Sequence, residues 1–199
     1  MDRQQHIKLA LTEDQYKKDI TTKILQLDKK CKAIIKAKES FHIYGLKWFS
    51  DVFKSVNKST KIKLNVKDGD LVRKNKIIGE IYGTNHALLN SERVALNYLQ
   101  TMSGTYDKCI RFRKKISNKK IQLLHTRKTI PLYRLPLSEA CNAAGCAPHR
   151  YDLSSSILIK ENHLKLASKP LDLITKAIKK DKIVAVSYTH LRAHETNQD

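Results

Sequence analysis

The second half of the chain alternates short apolar runs with loops and helix-forming stretches. Residues 121–124 (IQLL) are mainly apolar and residues 157–159 (ILI) are wholly apolar, a pattern typical of strands buried on both faces of a parallel sheet. A helix is expected to begin near Pro136, and a further helix around Ile174 precedes another apolar run at residues 183–186. Repeated βα units predict a parallel sheet or barrel. Because a complete eight-stranded barrel needs about 250 residues, we expect an incomplete one.

Three basic runs lie in the same half, at residues 125–129 (HTRKT), 148–150 (PHR) and 158–163 (LIKENH). The first and third coincide with the ends of two apolar runs, which places their cations at the carboxyl ends of strands. Ligands bind at those ends in barrels and open α/β sheets, where rigid strands hold converging loops. The runs therefore predict a receptor for several anionic groups.

The first half predicts a small β unit. Ile62, Leu64 and Val66 alternate with polar residues, Asp68-Gly69 supplies a turn, and apolar residues resume up to residue 82. This pattern indicates antiparallel strands.

One helix is expected before this unit in the chain and a second helix after it. Thr12 is a possible cap for a helix that ends in a turn near Asp19, and Asn90 or Ser91 is expected to cap a second helix that loosens at residues 103–104. Arg93 would then lie in the first turn of the second helix, where amide groups attract anions. The alternative is an arginine solvated on the polar face.

The charge balance favours anionic partners. Lys and Arg number 39 against 19 Asp and Glu, which gives +20 at pH 7, and such a field attracts nucleic acid, an acidic membrane face or phosphorylated small molecules. Aromatic residues make up only 7%, without an RNP-like cluster or a zinc finger, so a basic nucleic-acid-binding module is the alternative function. No apolar run is long enough to span a bilayer, and we expect no membrane partner.

The four cysteines lack CxxC spacing, and the chain begins without a secretory leader. We therefore expect a reduced, cytoplasmic protein. A zinc site at Cys141, Cys146 and His149 is disfavoured because no second ligand pair exists. Residues 186–199 resemble a translated sequencing adapter and are set aside, so the natural protein is expected to continue beyond about Ala185.

Several motifs together resemble the quinolinate phosphoribosyltransferase family, also called nicotinate-nucleotide pyrophosphorylase. The motifs stand in the family's order and are residues 11–14 (LTED), 19–22 (DITT), 89–97 (LNSERVALN), 102–105 (MSGT), 126–129 (TRKT), 149–150 (HR) and 158–163 (LIKENH). The resemblance implies an α/β fold, with an N-terminal α/β sandwich at residues 1–104 followed by the first part of an incomplete TIM-like α/β barrel at residues 105–185. It also implies a homodimer or higher homo-oligomer, in which the partner's N-terminal domain completes each site.

The resemblance further implies phosphoribosyl transfer from phosphoribosyl pyrophosphate to quinolinate with decarboxylation, which gives nicotinate mononucleotide, pyrophosphate and CO2 in NAD biosynthesis. Mg²⁺ is the implied cofactor, bound with phosphoribosyl pyrophosphate, and no metal ligand is expected in this stretch. Lys128 and Lys160 are the implied catalytic residues, and Arg93 is expected to reach across from the other subunit. The implied substrate-binding residues are Arg93, Thr126, Arg127, Lys128, His149, Arg150 and Lys160. The alternative hypothesis within this family is a molybdenum-transport-associated homologue with another substrate.

Three residues depart from the family pattern. His125 stands where an acidic residue is common, Leu132 follows Pro131 where glycine is common, and residues 144–150 (AGCAPHR), with Pro148, stand where the family has a glycine run ending in Asn-His-Arg. Proline removes a backbone donor and lost glycines narrow the allowed conformations, so we expect a distorted loop. The family's later acidic and glycine-rich phosphate-binding positions are expected beyond residue 185, and the 199-residue chain alone is not expected to turn over.

Overall fold

The computed structural model describes residues 1–24, 29–116, 120–180 and 184–187. The chain divides into two compact units, residues 1–148 and residues 149–199. Of the predicted adapter tail, Val186 and Ser187 end a strand, and residues 188–199 lie outside the described residues. No helix in the described part combines the length and the hydrophobicity needed to cross a membrane.

The first unit contains five α-helices, a 3-10 turn and seven short strands in its described part. In chain order they are α1 (Arg3–Glu13), the 3-10 turn (Tyr16–Lys18), α2 (Ile20–Ile24), β1 (Lys30–Lys36), β2 (Phe41–His42), α3 (Leu46–Val56), β3 (Lys61–Leu64), β4 (Leu71–Val72), β5 (Ile77–Thr84), α4 (Asn85–Lys115), β6 (Leu124–His125), α5 (Arg134–Ala143) and β7 (Ala147–Pro148). The described part of the second unit contains β8 (Ile157–Lys160), α6 (Glu161–Leu166), α7 (Pro170–Lys180) and β9 (Val184–Ser187).

The predicted antiparallel unit is confirmed. β5 pairs antiparallel with both β1 and β3, and Ile81 lies opposite Ala33 on one side and Ile62 on the other. β2 pairs antiparallel with β4. A side chain at Gly79 would bring a Cβ atom within 2.6 Å of the Lys63 carbonyl oxygen, so the close approach of these strands requires glycine there.

The hydrophobic core of the first unit lies between α1, α3, α4 and the sheet. Its largest fully buried side chains include Trp48, Phe49, Phe53, Tyr98 and Met102. Each such side chain contributes roughly 1.5–3 kcal/mol through burial. The core thus fixes α4 as the central helix.

α4 is longer at both ends than the sequence predicts. Thr84 caps it by accepting a hydrogen bond from the Ala87 amide, so the helix begins at Asn85, and the predicted cap at Asn90 or Ser91 is wrong. It also continues through Ser103 and Gly104 to Lys115, because Ser103 is anchored by hydrogen bonds to the backbone of Tyr44. The predicted domain boundary after residue 104 lies inside this helix and stays a prediction.

The first helix starts earlier than predicted. Asp2 and Gln5 form a reciprocal capping box, which satisfies amides at the helix start. α1 therefore begins at Arg3 and Thr12 lies in its last turn, so the prediction of a helix starting at Thr12 is wrong.

The predicted βα repeats are confirmed in part. The strands expected near residues 157–159 and 183–186 are present as β8 and β9, whereas the strand expected at residues 121–124 is the shorter β6 at Leu124–His125, and β7 was not predicted. β6 pairs with β7 in the first unit, and β8 pairs with β9 in the second. α5 begins at Arg134, two residues before Pro136. The expected burial of residues 121–124 is wrong, because Ile121 is 59% exposed and Leu124 is 45% exposed.

Candidate functional site

The basic loop, residues 125–129, begins in β6, at the end of a parallel strand as predicted. The Lys128 amide donates to the Thr126 hydroxyl (3.2 Å), and the Thr129 amide donates to the Arg127 carbonyl (3.0 Å). Thr126 and Lys128 are exposed, while Arg127 is half-buried. These bonds fold the loop into a local turn with a cation on either side of the Arg127–Lys128 peptide bond.

The guanidinium group of Arg127 has an unsatisfied donor. Its Nε atom is shielded from solvent and has no hydrogen-bond partner among the described residues. A shielded N–H without a partner costs about 1–3 kcal/mol relative to a bonded one. An anionic ligand that accepts this hydrogen would remove that cost.

His125 ties the start of the basic loop to α5. Its Nε2 atom lies 2.9 Å from Oδ1 of Asn142, and a neutral or charged imidazole with a proton on Nε2 can donate to that oxygen. An aspartate or glutamate at this position would oppose the amide oxygen instead. The histidine that stands at position 125 in place of an acidic residue therefore has a hydrogen-bond partner in Asn142.

The departure at Leu132 has a conformational consequence. Leu132 has φ +61°, in the left-handed region, which an L side chain adopts at a cost of roughly 1–3 kcal/mol. A glycine there would adopt it freely. Leu132 therefore occupies a backbone conformation that favours glycine, and the expected distortion of this loop stays a prediction.

The loop before Pro148 is organised by Gly145 and Arg113. Gly145 has φ +81°, and Nη1 of Arg113 donates to the Ala144 carbonyl at 2.7 Å. A Cβ atom at Gly145 would overlap the Arg113 guanidinium group. Pro148 is the last residue of the two-residue strand β7. Its missing backbone N–H therefore does not interrupt a longer strand pairing.

Three cysteine thiols lie close to this loop. Sγ of Cys109 lies 3.7 Å from Sγ of Cys141, and this hydrogen bond raises the pKa of Cys109 and lowers the pKa of Cys141. Burial raises the pKa of Cys146 to about 11. Cys146 therefore stays protonated at neutral pH.

The second unit holds the remaining predicted residues. Lys160 is exposed at the end of β8, and its amide donates to Nδ1 of His163 at 2.9 Å. Its predicted position at a strand end is confirmed. His149 is exposed and Arg150 is half-buried.

Arg93 lies in the first unit, on α4. Since α4 begins at Asn85, Arg93 lies beyond its second turn, and the predicted place in the first turn is wrong. The side chain is exposed, so any anion attraction comes from its own charge and not from free helix amides. One turn earlier, Oδ1 of Asn90 is shielded without a partner in the described structure.

Sequence reasoning missed Arg113 and His6. Arg113 stands in a lysine-rich and arginine-rich run at the end of α4, and no pattern separates it from its solvated neighbours. His6 is buried against Trp48 and Tyr98, and only the tertiary structure brings these residues together.

Two family models match consecutive parts of the chain. The model for the N-terminal domain of quinolinate phosphoribosyl transferase matches residues 19–103, and the model for its C-terminal domain matches residues 107–191. The chain belongs to the quinolinate phosphoribosyltransferase family. The second match reaches into the stretch predicted to be an adapter, and the nature of that tail stays a prediction.

Curated relatives agree with this family. The probable nicotinate-nucleotide pyrophosphorylase [carboxylating] of Bacillus subtilis is 32% identical over 159 residues, which cover 80% of this chain and 55% of the relative. Quinolinate phosphoribosyltransferase [decarboxylating] 1b of Nicotiana tabacum is 33% identical over 184 residues, which cover 89% of this chain and 51% of the relative. The chain therefore spans about half the length of the curated relatives it matches.

Solved structures of family members share the fold. NadC from Streptococcus pyogenes has a TM-score of 0.83 at 31% identity, covering 95% of this chain and 70% of that one. Nicotinate-nucleotide pyrophosphorylase from Ehrlichia chaffeensis has a TM-score of 0.84 at 28% identity, covering 94% and 69%. The predicted α/β class, with an N-terminal sandwich followed by part of a TIM-like barrel, is confirmed by these quinolinate phosphoribosyltransferase likenesses.

Proposed function

We propose that the protein containing this chain transfers the phosphoribosyl group of phosphoribosyl pyrophosphate to quinolinate and releases pyrophosphate and CO2. Both family domains occur in order along the chain. The observation that carries the proposal is the basic loop at the end of β6, in which Arg127 has a shielded donor without a partner. Such a donor suits a substrate with two carboxylates or a pyrophosphate.

Each proposed binding residue suits part of an anionic substrate. The planar guanidinium groups of Arg127 and Arg150 can bind a carboxylate or phosphate through two parallel hydrogen bonds. Lys128 and Lys160 act as mobile point charges. The remaining proposed contacts are the hydroxyl of Thr126, the imidazole of His149 and Arg93 from the partner subunit.

In the proposed reaction, the ring nitrogen of quinolinate bonds to the anomeric carbon as the bond to pyrophosphate breaks. Positive charge develops on the ribose, and negative charge develops on the leaving group. We assign the stabilisation of the departing pyrophosphate to Lys128 and Lys160, because a positive charge next to a leaving group lowers the energy of a transition state in which negative charge develops. The ring C2–carboxylate bond then breaks, CO2 leaves, and the electron pair remains at C2 beside the pyridinium nitrogen until C2 takes a proton. No protein nucleophile is required.

Mg²⁺ belongs to the proposal as a cofactor that accompanies phosphoribosyl pyrophosphate. Within residues 1–24, 29–116, 120–180 and 184–187, no group of three or more His, Cys, Asp or Glu side chains is arranged as a metal site. Mg²⁺ is commonly held by one or two carboxylates together with substrate phosphates, so in this proposal the ion enters the site with phosphoribosyl pyrophosphate.

A homodimer or higher homo-oligomer and a cytoplasmic location complete the proposal. The exposed position of Arg93 on α4 suits a contact with a second copy, and all four cysteines are free thiols. Subunit mixing tests the shared site: Arg93→Ala and Arg127→Ala subunits should regain some activity together, and failure to complement would place Arg93 outside a shared site.

The decisive experiment uses protein expressed from the complete genomic reading frame that contains this chain. We expect pyrophosphate release that depends on quinolinate and yields nicotinate mononucleotide and CO2. Nicotinate is the matched control, because it lacks the ring C2 carboxylate. Absence of product in an intact oligomer, or equal release with nicotinate, would overturn the proposal.

Lys128→Ala should lower turnover about 100-fold, equivalent to roughly 2.7 kcal/mol of transition-state stabilisation, and leave the fold intact because the side chain is exposed. Lys160→Ala should act in the same direction. Lys115→Ala is the control, since that lysine is an exposed residue at the end of α4. Wild-type rates in both site variants would contradict the assigned roles.

Nucleic-acid binding is tested in the same preparation. The chain's +20 charge predicts weak binding that falls steeply with salt, whereas a dedicated module would retain sequence preference at about physiological salt. We expect the first behaviour, because Trp48, Phe49, Phe53 and Tyr98 lie in the core, where they cannot stack on bases.

A further inference from the structure

His6 lies at the centre of an aromatic cluster in the first unit. Its ring meets those of Trp48, Tyr98 and Tyr133 edge-on, with centroids 5.4, 5.6 and 5.7 Å away. The side chain is buried. A buried imidazole must bond through both ring nitrogens or lose hydration without replacement.

Both nitrogens of His6 have partners, and one of them is backbone. Nε2 lies 2.5 Å from the Leu132 carbonyl oxygen, and Nδ1 lies 2.6 Å from the Tyr98 hydroxyl. Because a carbonyl oxygen only accepts, the Nε2 atom must carry the proton. In the neutral ring, Nδ1 then accepts from Tyr98.

The carbonyl that His6 holds belongs to the residue with the unusual backbone. Leu132 has φ +61° and its side chain is 77% exposed, so burial of that side chain does not hold the conformation. The following residue is fixed as well: the Tyr133 amide donates to the Ile130 carbonyl at 3.1 Å, and its ring stacks on Tyr98 at 5.5 Å. The hydrogen bond from His6 therefore holds the backbone at a non-glycine residue that has a left-handed conformation.

This anchor lies three residues beyond the basic loop. The loop is held at its start by the contact between His125 and Asn142, and the segment that follows it is held by His6. Arg127 and Lys128 lie between the two anchors. The position of their side chains thus depends on a contact from α1, which is 126 residues away in sequence.

We propose that His6 is a positioning residue for the basic loop: it holds the Leu132 backbone in its left-handed conformation and so presents Arg127 and Lys128 to anionic substrates. The role in substrate binding rests on the proposed function, whereas the control of loop order does not. It follows that His6 and Leu132 are coupled. A glycine at position 132 should make His6 dispensable.

The test compares His6→Gln with His6→Asn in protein from the complete reading frame. The glutamine amide nitrogen can occupy the place of Nε2 and donate to Leu132, whereas asparagine is shorter and reaches only the Nδ1 position near Tyr98. Ile7→Ala is the matched control, because Ile7 is a fully buried neighbour on α1 whose truncation disturbs helix packing without removing the Leu132 bond. Backbone hydrogen exchange across residues 124–133 is measured without substrate.

We expect exchange in this segment to rise at least tenfold in His6→Asn, to stay within twofold of wild type in His6→Gln and Ile7→Ala, and to fall back when Leu132→Gly is added to His6→Asn. KM for both substrates should rise about tenfold in His6→Asn, with a smaller change in kcat, and recover in the double variant. Equal exchange in His6→Asn and Ile7→Ala, or no rescue by Leu132→Gly, would overturn the positioning role. If the exchange pattern holds but quinolinate is not converted, the proposed function fails and the positioning of the loop stands.

Discussion

Two parts of the molecule differ in how completely they bury their apolar residues: the core around α4, and the βα segments, here meaning the described residues 120–180 and 184–187. In the core, Trp48, Tyr98 and Met102 are almost fully buried between helices and sheet. In the βα segments, apolar residues such as Ile121, Leu171 and Ile178 are mostly exposed within the described structure. Part of the apolar surface of the βα segments thus remains without cover in this structure, whereas the core buries its large side chains within the first unit.

The comparison also bears on how the chain should behave. Exposed apolar side chains and short strand pairs promote association. We therefore expect the 199-residue chain to aggregate when expressed alone. A monodisperse, cooperatively melting monomer would show that these exposed side chains are tolerated.

The largest expected effect is a difference in unfolding free energy between two alanine substitutions, one in the core and one in the βα segments. Trp48→Ala should cost about 3–5 kcal/mol of unfolding free energy, because a large buried side chain leaves a cavity and its Nε1 loses a 2.6 Å hydrogen bond to Glu139. Leu171→Ala, at a side chain that is 78% exposed, should change stability by less than about 0.5 kcal/mol. Urea unfolding of both variants in the complete protein measures this difference.

A large effect of Leu171→Ala would erase the contrast. It would mean that the exposed face of α7 is covered in the complete protein and contributes to its stability.

The interior of each element was more predictable from sequence than its ends. The helical spacing of Val94, Tyr98 and Met102 identified the buried stripe of α4 correctly. Its start was missed because Asn90, Ser91 and Thr84 are all residue types that cap helices. Ser91 lies inside the helix, where its hydroxyl donates to the Ala87 carbonyl.

Contacts between distant segments were beyond prediction. Local motifs identified the family and placed Lys160 at a strand end, because both depend on residues close together in sequence. The bonds from His6 to Leu132 and from Arg113 to Ala144 join segments far apart in the chain, and neither changes any local pattern. The burial of residues 121–124 was overestimated because an apolar run reports what a strand can bury and not which neighbours cover it.

A pair of glycine substitutions sharpens the comparison at intermediate size. Gly145→Ala should destabilise the protein by about 1–2 kcal/mol, because φ +81° disfavours an L side chain and the new Cβ atom would displace Arg113 from the Ala144 carbonyl. Gly104→Ala, in the exposed interior of α4 with no atom within 4 Å of the new Cβ, should stabilise by roughly 0.5–1 kcal/mol. Opposite shifts in Tm would support this assignment, and equal shifts would refute the role given to the Gly145 turn.

The smallest expected effect concerns an ion pair at the edge of the core. Oδ1 of Asp107 lies 2.7 Å from Nδ1 of His42, and Oδ2 of Asp107 lies 2.7 Å from Nε of Arg111. Burial alone would raise the pKa of Asp107, but the hydrogen bonds from His42 and the charge of Arg111 outweigh it and hold the pKa below its usual value. A carboxyl with a lowered folded-state pKa contributes stability above its unfolded pKa, and that contribution is lost as the pH falls through the folded value.

Asp107→Asn should therefore lower unfolding free energy by about 1 kcal/mol at pH 7 and by less near pH 3, where the wild-type carboxyl is increasingly protonated. Asp14→Asn, at an exposed residue that ends α1, serves as the control at both pH values. Urea midpoints at pH 7 and pH 3 give the comparison. A deficit in Asp107→Asn that stays equal at both pH values would show that the side chain acts by shape and hydrogen bonding alone, without a contribution from its charge.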